Sequence, residues 1–392
     1  MQTLERPTVE ELQLRAEAML PALRERAAEC DANGRLPDAT ARDFEAAGFF
    51  RILQPASHGG FEYAPKVLWD IVVRLASACP SSAWTLSVID VHTWEVGLMS
   101  RQLADDIWGE DPNVRISSSY EPVAKAISVE GGYRVSGRWR FSSGCDLSTW
   151  VVVGALAEDP STGQLRHTAM FVEPGAYRIV PDTWNVLGMR GSGSKDFVVE
   201  DAFVPAYRTH PMGDRYGLDG VASGRIDSDA YKYPVRATMS YCLSCVAIGI
   251  ADGALADFTA TWRSRIAAKG DEELRRNFRN KQRYAEAFAL IDAAHLRFDR
   301  DWAEMATFVA RGEEIPALRR ASYTWNSAYN TSSLAEAVTI LFRGSGARAI
   351  HDGDPMQRAL RDIFVLPNHT LIREDQRADD LGAIAFGSSI EL

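Results

Sequence analysis

The chain is poor in cysteine. Five residues (Cys30, Cys79, Cys145, Cys242 and Cys245) are scattered over 392 positions. So sparse and odd a set excludes a disulfide framework and leads us to expect free thiols in a reducing cytoplasm. Cys242 and Cys245 form a C-x-x-C, but it lies in an apolar helical run and no second pair answers it. No concentrated basic run is present, and the net charge is -10. Without a basic stripe a nucleic-acid surface would gain little from phosphate contacts. The N-terminal MQTLERPTVEELQLRAEAML lacks both the basic and the apolar part of a signal peptide. No clean apolar stretch reaches the roughly 18 residues of a membrane span; the run 242–256 carries Asp252 and reads as a buried helix. Also missing are a strand–GxGxxG–helix opening, a Walker A loop, HExxH and G-x-S-x-G. Residues 188–194 are glycine-rich but sit between β-prone pieces. None of the seven histidines has the spacing of a metal set, so no metal is expected.

What is present is 46% hydrophobic, enough for two or three domains. Residues 1–113 read as helical. Thr8 and Glu11 form a capping box ahead of VEELQLRAEAML, and apolar-periodic runs cover Ala64 to Cys79, Ser82 to Met99 and Leu103 to Trp108. From Val114 the period changes to two, in short β-prone pieces with a Gly131-Gly132 hairpin, so 114–215 reads as a β domain. Residues 213–232, rich in Gly, Asp and Ser, read as an excursion. From 216 to 392 the pattern returns to helices, at about 237–267, 272–310, 317–350 and 355–365, as an antiparallel bundle.

Four segments in this order carry a family resemblance: ACPSSAWTLSVIDVHTW (78–94), SGRWRFSSG (136–144), WNVLGMRGSGSKDFVVEDAFVP (184–205) and RDIFVLPNHT (361–370). Together with the helix–β–helix order, they resemble the acyl-CoA dehydrogenase superfamily. They are most similar to its flavin-dependent monooxygenase branch, the oxygenase components of two-component aromatic hydroxylases. The resemblance implies an α+β multidomain fold: an N-terminal helical domain, a central β domain and a C-terminal four-helix bundle, assembled as a homotetramer. It implies a cytoplasmic enzyme, with no nucleic-acid or membrane partner. Reduced FMN, or FADH2, would come from a separate NAD(P)H-dependent flavin reductase by diffusive transfer. With O2 as co-substrate it would hydroxylate a small aromatic, phenolic substrate through a C4a-(hydro)peroxyflavin. N- or S-oxygenation on the same fold, and an acyl-CoA dehydrogenase-like reaction, are the alternatives; a silent scaffold is the third class. The tail departs from the dehydrogenases, because no I-Y-E-G-T-like segment bearing a carboxylate base follows Arg361-Asp362.

By motif, Ser143 stands where a hydroxyl approaches flavin N5, with Ser142 and Phe141 beside it. Ser117, Ser118 and Ser119 run along the cofactor, and Arg190, Ser192 and Ser194 lie near its phosphate or ribityl part. Read from the residues alone, Ser142 and Ser143 end a strand and Arg190 pairs with a strand-edge carboxylate. His92 and His369 are the catalytic histidines that the resemblance implies, and imidazole suits proton movement near neutrality. Trp94, Tyr120, Phe258, Tyr323, Trp325 and Tyr329 are expected to line an aromatic pocket or to form core.

Overall fold

A computed structural model describes residues 6–159, 163–212 and 226–388. The N-terminal region holds α1 (Val9–Asn33), α2 (Asp38–Ala46), α3 (Pro65–Ala76), α4 (Pro80–Gly97) and α5 (Arg101–Trp108). The capping box is formed: Glu11 N–H donates to Thr8 Oγ1 at 3.1 Å, and Thr8 N–H donates to Glu11 Oε2 at 2.7 Å. Both α3 and α4 begin with proline, whose missing N–H costs nothing in a first turn. All of α4 is buried, so it is a central strut rather than a surface helix.

Eight strands follow: β1 (Ile116–Lys125), β2 (Ile127–Val129), β3 (Gly132–Ser142), β4 (Trp150–Glu158), β5 (Leu165–Val172), β6 (Tyr177–Val180), β7 (Lys195–Pro205) and β8 (Thr209–Pro211). They form two sheets, ordered β1-β4-β5-β8 and β2-β3-β7-β6. Among the described residues only β1 and β4 pair in parallel; the other ladders are antiparallel, and the Gly131-Gly132 hairpin joins β2 to β3. The two faces of β4 explain its unbroken apolar run. Val151 and Val153 enter the core between the sheets, whereas Trp150 and Val152 pack towards α5. Trp139 is fully buried between the sheets, stacked on Phe197, with Nε1 donating to the carbonyls of Gly154 (2.8 Å) and Glu121 (3.0 Å).

The C-terminal region comprises α6 (Val235–Lys269), α7 (Asp271–Arg276), α8 (Phe278–Arg311), α9 (Ala317–Ser345), α10 (Pro355–Val365) and α11 (Glu374–Ala385). Two expected boundaries differ. The helix expected from 272 breaks at Asn277, whose φ of -100° and ψ of 51° leave the helical region. The helix expected to reach 350 stops at Ser345, because Gly346 has φ +81° and starts a short 3-10 turn. Among the described residues α6 alone is long and apolar enough to cross a membrane, but 83% of its apolar window is buried within the molecule. Most of the expected 213–232 excursion, residues 213–225, lies outside the described residues. In its described part Tyr231 packs on Gly97 of α4, which leaves no room for a Cβ there.

Candidate active site

Along α4 the residues that retain some exposure are not random. Trp84 (7%), Val88 (8%) and His92 (4%) recur every four positions, and Leu86 and Ile89 between them are at 0–1%. That spacing is one face of a helix. From Trp84 to His92 the stripe runs about 12 Å, at 1.5 Å per residue.

At its far end, β1 brings polar groups against His92. In a strand alternate side chains share a face, so Ile116, Ser118 and Tyr120 point towards α4, and Ser117 and Ser119 point the other way. His92 Nε2 lies 2.7 Å from Ser118 Oγ, and Nδ1 lies 2.9 Å from the Tyr120 hydroxyl and 3.2 Å from Glu95 Oε2. The Tyr120 hydroxyl also donates to Glu95 Oε2. His210, from β8, contacts Glu95 Oε1 through Nε2 at 2.6 Å. Burial alone would raise the Glu95 carboxyl, but hydrogen bonds from His210 and His92 outweigh it and bring the group down to about 2. Burial and the adjacent Glu95 carboxylate push the Tyr120 phenol well up, so it remains a donor.

The near end is built by the last residues of β3 and the 189–194 turn. Phe141 takes φ +65°, rare for a side chain with a Cβ, and stands 59% exposed, edge-on to Trp184. The β3–β7 register shifts between Trp139 and Ser142, and this local irregularity turns Phe141 outward and Ser142 inward. Ser142 is fully buried, and its hydroxyl has no hydrogen-bond partner; the same holds for the Ser117 hydroxyl at 1% exposure. Ser143 accepts from Trp84 Nε1 at 3.0 Å, and a chain of 2.7 Å contacts joins Ser143 to Ser194 and Ser194 to Ser192. Arg190 is exposed and, among the described residues, no hydrogen bond or ion pair holds its guanidinium. It does not make the strand-edge ion pair that the residues alone suggested. Ser119 is buried, with no hydroxyl contact of note.

Close packing fixes that turn. A Cβ on Gly191 would lie 2.2 Å from Cys30 Sγ in α1, and one on Gly188 would lie 2.0 Å from the Arg361 carbonyl in α10. The Met189 N–H donates to Asp362 Oδ1 at 2.6 Å, and Arg361 reaches both Asp31 (2.8 Å) and the Leu187 carbonyl (2.9 Å). Arg361 and Asp362 therefore anchor the turn.

After α10, Leu366–Asn368 form a short 3-10 turn that delivers His369. Its ring meets Trp84 edge-on at 6.0 Å between centroids. Nδ1 accepts from the Leu371 N–H at 3.3 Å, so the neutral ring carries its proton on Nε2. Burial pushes this imidazole down to about 4. Trp84 thus touches both Ser143 and His369, which lie far apart in sequence.

The six aromatics expected as pocket lining or core divide. Tyr120 contacts His92, and Tyr323 is fully buried in the core. Trp94 is fully buried, donating to the Ala230 carbonyl, and Trp325 stacks on Tyr329, whose other neighbour is Arg297. Phe258 lines a separate cavity of about 190 Å³ between α6 and α8, together with Trp262 and Tyr284 and away from the histidines. Sequence reasoning missed Trp84, Glu95 and His210. Glu95 was detectable as the i+3 neighbour of His92 on a helix; His210 gave no local signal.

Comparison with known proteins places this geometry. Residues 241–374 match the family described as acyl-CoA dehydrogenase, C-terminal domain. The chain is 37% identical over 350 residues to HsaA, the oxygenase subunit of a flavin-dependent monooxygenase from Rhodococcus jostii strain RHA1, covering 89% of this chain and 91% of the relative. It is 28% identical over 378 residues to the oxygenase component of an FADH(2)-dependent resorcinol hydroxylase from a Rhizobium species, covering 90% and 88%. The crystal structure of 3-HSA hydroxylase from Rhodococcus sp. RHA1 matches with a TM-score of 0.91 at 34% identity, over 97% of this chain and 98% of that one. These relatives show that the chain belongs to the oxygenase subunits of two-component flavin-dependent monooxygenases with the acyl-CoA dehydrogenase-like fold, and that it is an enzyme that uses flavin and O2.

Proposed function

We propose that the substrate is a small phenol, hydroxylated on its ring in the cleft along α4. The observation that carries this reading is the Trp84–Val88–His92 stripe, an apolar wall with a histidine at each end: His92 on α4 itself and His369 against Trp84. The orphaned hydroxyl of Ser142 and the free Arg190 fork suit a flavin, because ring heteroatoms and a phosphate would satisfy them. Phe141, Ser142 and Ser143 would then border the ring system, and Arg190, Ser192 and Ser194 the ribityl phosphate, while Ser117 and Ser119 would reach it only through the backbone of β1. Reduced FMN is our assignment, with FADH2, named for the resorcinol hydroxylase relative, as the alternative. When bound, the reduced flavin supplies the electrons that activate O2.

The chain's own residues divide the proton work. His369, neutral because burial holds it near 4, presents Nε2–H as a hydrogen-bond donor towards the oxygen being transferred. His92 presents Nε2 where Ser118 now donates, and a phenolic hydroxyl taking that place would be held by the same lone pair. Trp84 and Val88 keep water from the wall between them. A separate NAD(P)H-dependent reductase delivers the flavin by diffusion, and the chain works as a homotetramer. Exposed Phe288 and Leu296 on α8 suit burial between copies. The buried free thiols suit a cytoplasmic location.

His369→Ala tests the reading. The variant should keep its assembly size and bind reduced flavin, but yield less product per flavin oxidised, with hydrogen peroxide making up the difference. An unchanged product yield from about pH 6 to 9, the range spanning imidazole titration, removes His369 from the chemistry.

A further inference from the structure

We propose that Glu95 is a positioning residue that fixes His92 in the Nδ1–H tautomer, with His210 as the counter-charge that keeps His92 from becoming a cation. The hydrogen-bond geometry gives each proton one place. The Tyr120 hydroxyl donates to Glu95 Oε2, so its oxygen is left to accept. His92 Nδ1 faces that oxygen at 2.9 Å and the carboxylate at 3.2 Å, two acceptors, and must carry the hydrogen. Nε2 is then a bare lone pair, pointed at Ser118.

A lone carboxylate beside His92 would favour the imidazolium and remove that lone pair. His210 answers this. Its Nε2 faces Glu95 Oε1 at 2.6 Å and its Nδ1 faces the Pro211 carbonyl at 3.0 Å. Both ring nitrogens meet acceptors, so the doubly protonated ring satisfies both. The Glu95–His210 pair is then neutral as a whole, and Glu95 keeps its hydrogen bond to His92 without pulling a second proton onto it. Two further titratable neighbours among the described residues are held in their uncharged forms. His167 on β5, bonded to the Tyr120 carbonyl at 2.6 Å, is pushed down by burial, and the Cys242 thiol of α6 is pushed up by burial. Glu95 and His210 are 1% and 4% exposed, so water screens the pair little.

The proposal rests on the cleft reading for its purpose, but its core can be tested without flavin or substrate. In flavin-free protein with ¹⁵N-labelled histidine, the His92 ring signal is identified by its loss in His92→Gln. Wild-type protein near pH 8 should show Nδ1 protonated and Nε2 bare. The titration of that ring should move down in Glu95→Gln and up in His210→Gln, each by about 1–3 pH units, the effect of one charge at contact distance. A merely structural pair would not give shifts of opposite sign. A wild-type His92 protonated on Nε2, or shifts in the same direction, overturns the proposal; if a variant fails to fold, the wild-type tautomer decides. His92→Gln with unchanged product yield would remove the cleft reading instead, and leave the tautomer result standing.

Discussion

Asp362→Asn is expected to stabilise the protein above neutral pH while leaving it unchanged in acid. Asp362 is 1% exposed, and burial raises its carboxyl from 3.8 to about 7, although the Met189 N–H bond opposes the rise. Arg361 lies nearby but its guanidinium is committed to Asp31. Between these two values the unfolded chain has released its proton while the folded chain still holds it. Stability therefore falls as the pH rises through that window, is fully present below about 4 and is lost by about 7. The window is roughly three pH units wide, and at about 1.36 kcal/mol per unit the loss is on the order of 4 kcal/mol. Asparagine keeps an oxygen for the Met189 N–H, held at 2.6 Å in the native protein, and carries no charge to desolvate. Urea denaturation at pH 4.5 and pH 8, at one fixed protein concentration because assembly is linked to stability, is the assay. The two proteins should nearly coincide at the lower pH, and the variant should be ahead by a few kcal/mol at the higher. Parallel curves, or a variant weaker at pH 8, would refute the argument that Asp362 is buried at a cost in its charged form.

Three further outcomes are expected. Gly191→Ala drives a methyl to 2.2 Å from Cys30 Sγ and should cost about 1–3 kcal/mol by urea midpoint, with Cys30→Ala restoring part of it; a neutral single variant would show that α1 yields freely. Trp139→Phe strips the donor from the Gly154 and Glu121 carbonyls and should cost about 1–3 kcal/mol without changing flavin affinity, since the ring lies between the sheets. Ser143→Ala leaves Trp84 Nε1 unpaired and should lower the stability of the flavin-free protein by about 1–2 kcal/mol, whereas Ser142→Ala should spare stability and weaken flavin binding. Identical behaviour of the two serine variants in calorimetry would erase that distinction.

The parts of the fold set by local chemistry were legible in the sequence. The Thr8–Glu11 box and the Gly131-Gly132 hairpin each depend on a few adjacent residues. The break at Asn277 was not, because its charged flanks read as one continuous wet helix. At the site, the motif pointed to Ser143 as the hydroxyl for the flavin. Its partners are Trp84 and Ser194, 59 and 51 residues away, and no local pattern shows that it is engaged while Ser142 is left unpaired. His210 meets Glu95 across 115 residues, a pairing that only the tertiary structure creates.

The complete burial of α4 has a consequence for how such enzymes diverge. A helix enclosed on all sides opens to solvent only in large, near-global unfolding events, so its amides should be among the slowest of the chain to exchange for deuterium. The face that carries Trp84, Val88 and His92 is then a fixed template. Any widening of the substrate range has to arise against it, in the turn 366–372 and at the edge of β1, where side chains keep partial exposure. Selection for a new substrate should therefore leave its changes there, and spare the helix that carries His92.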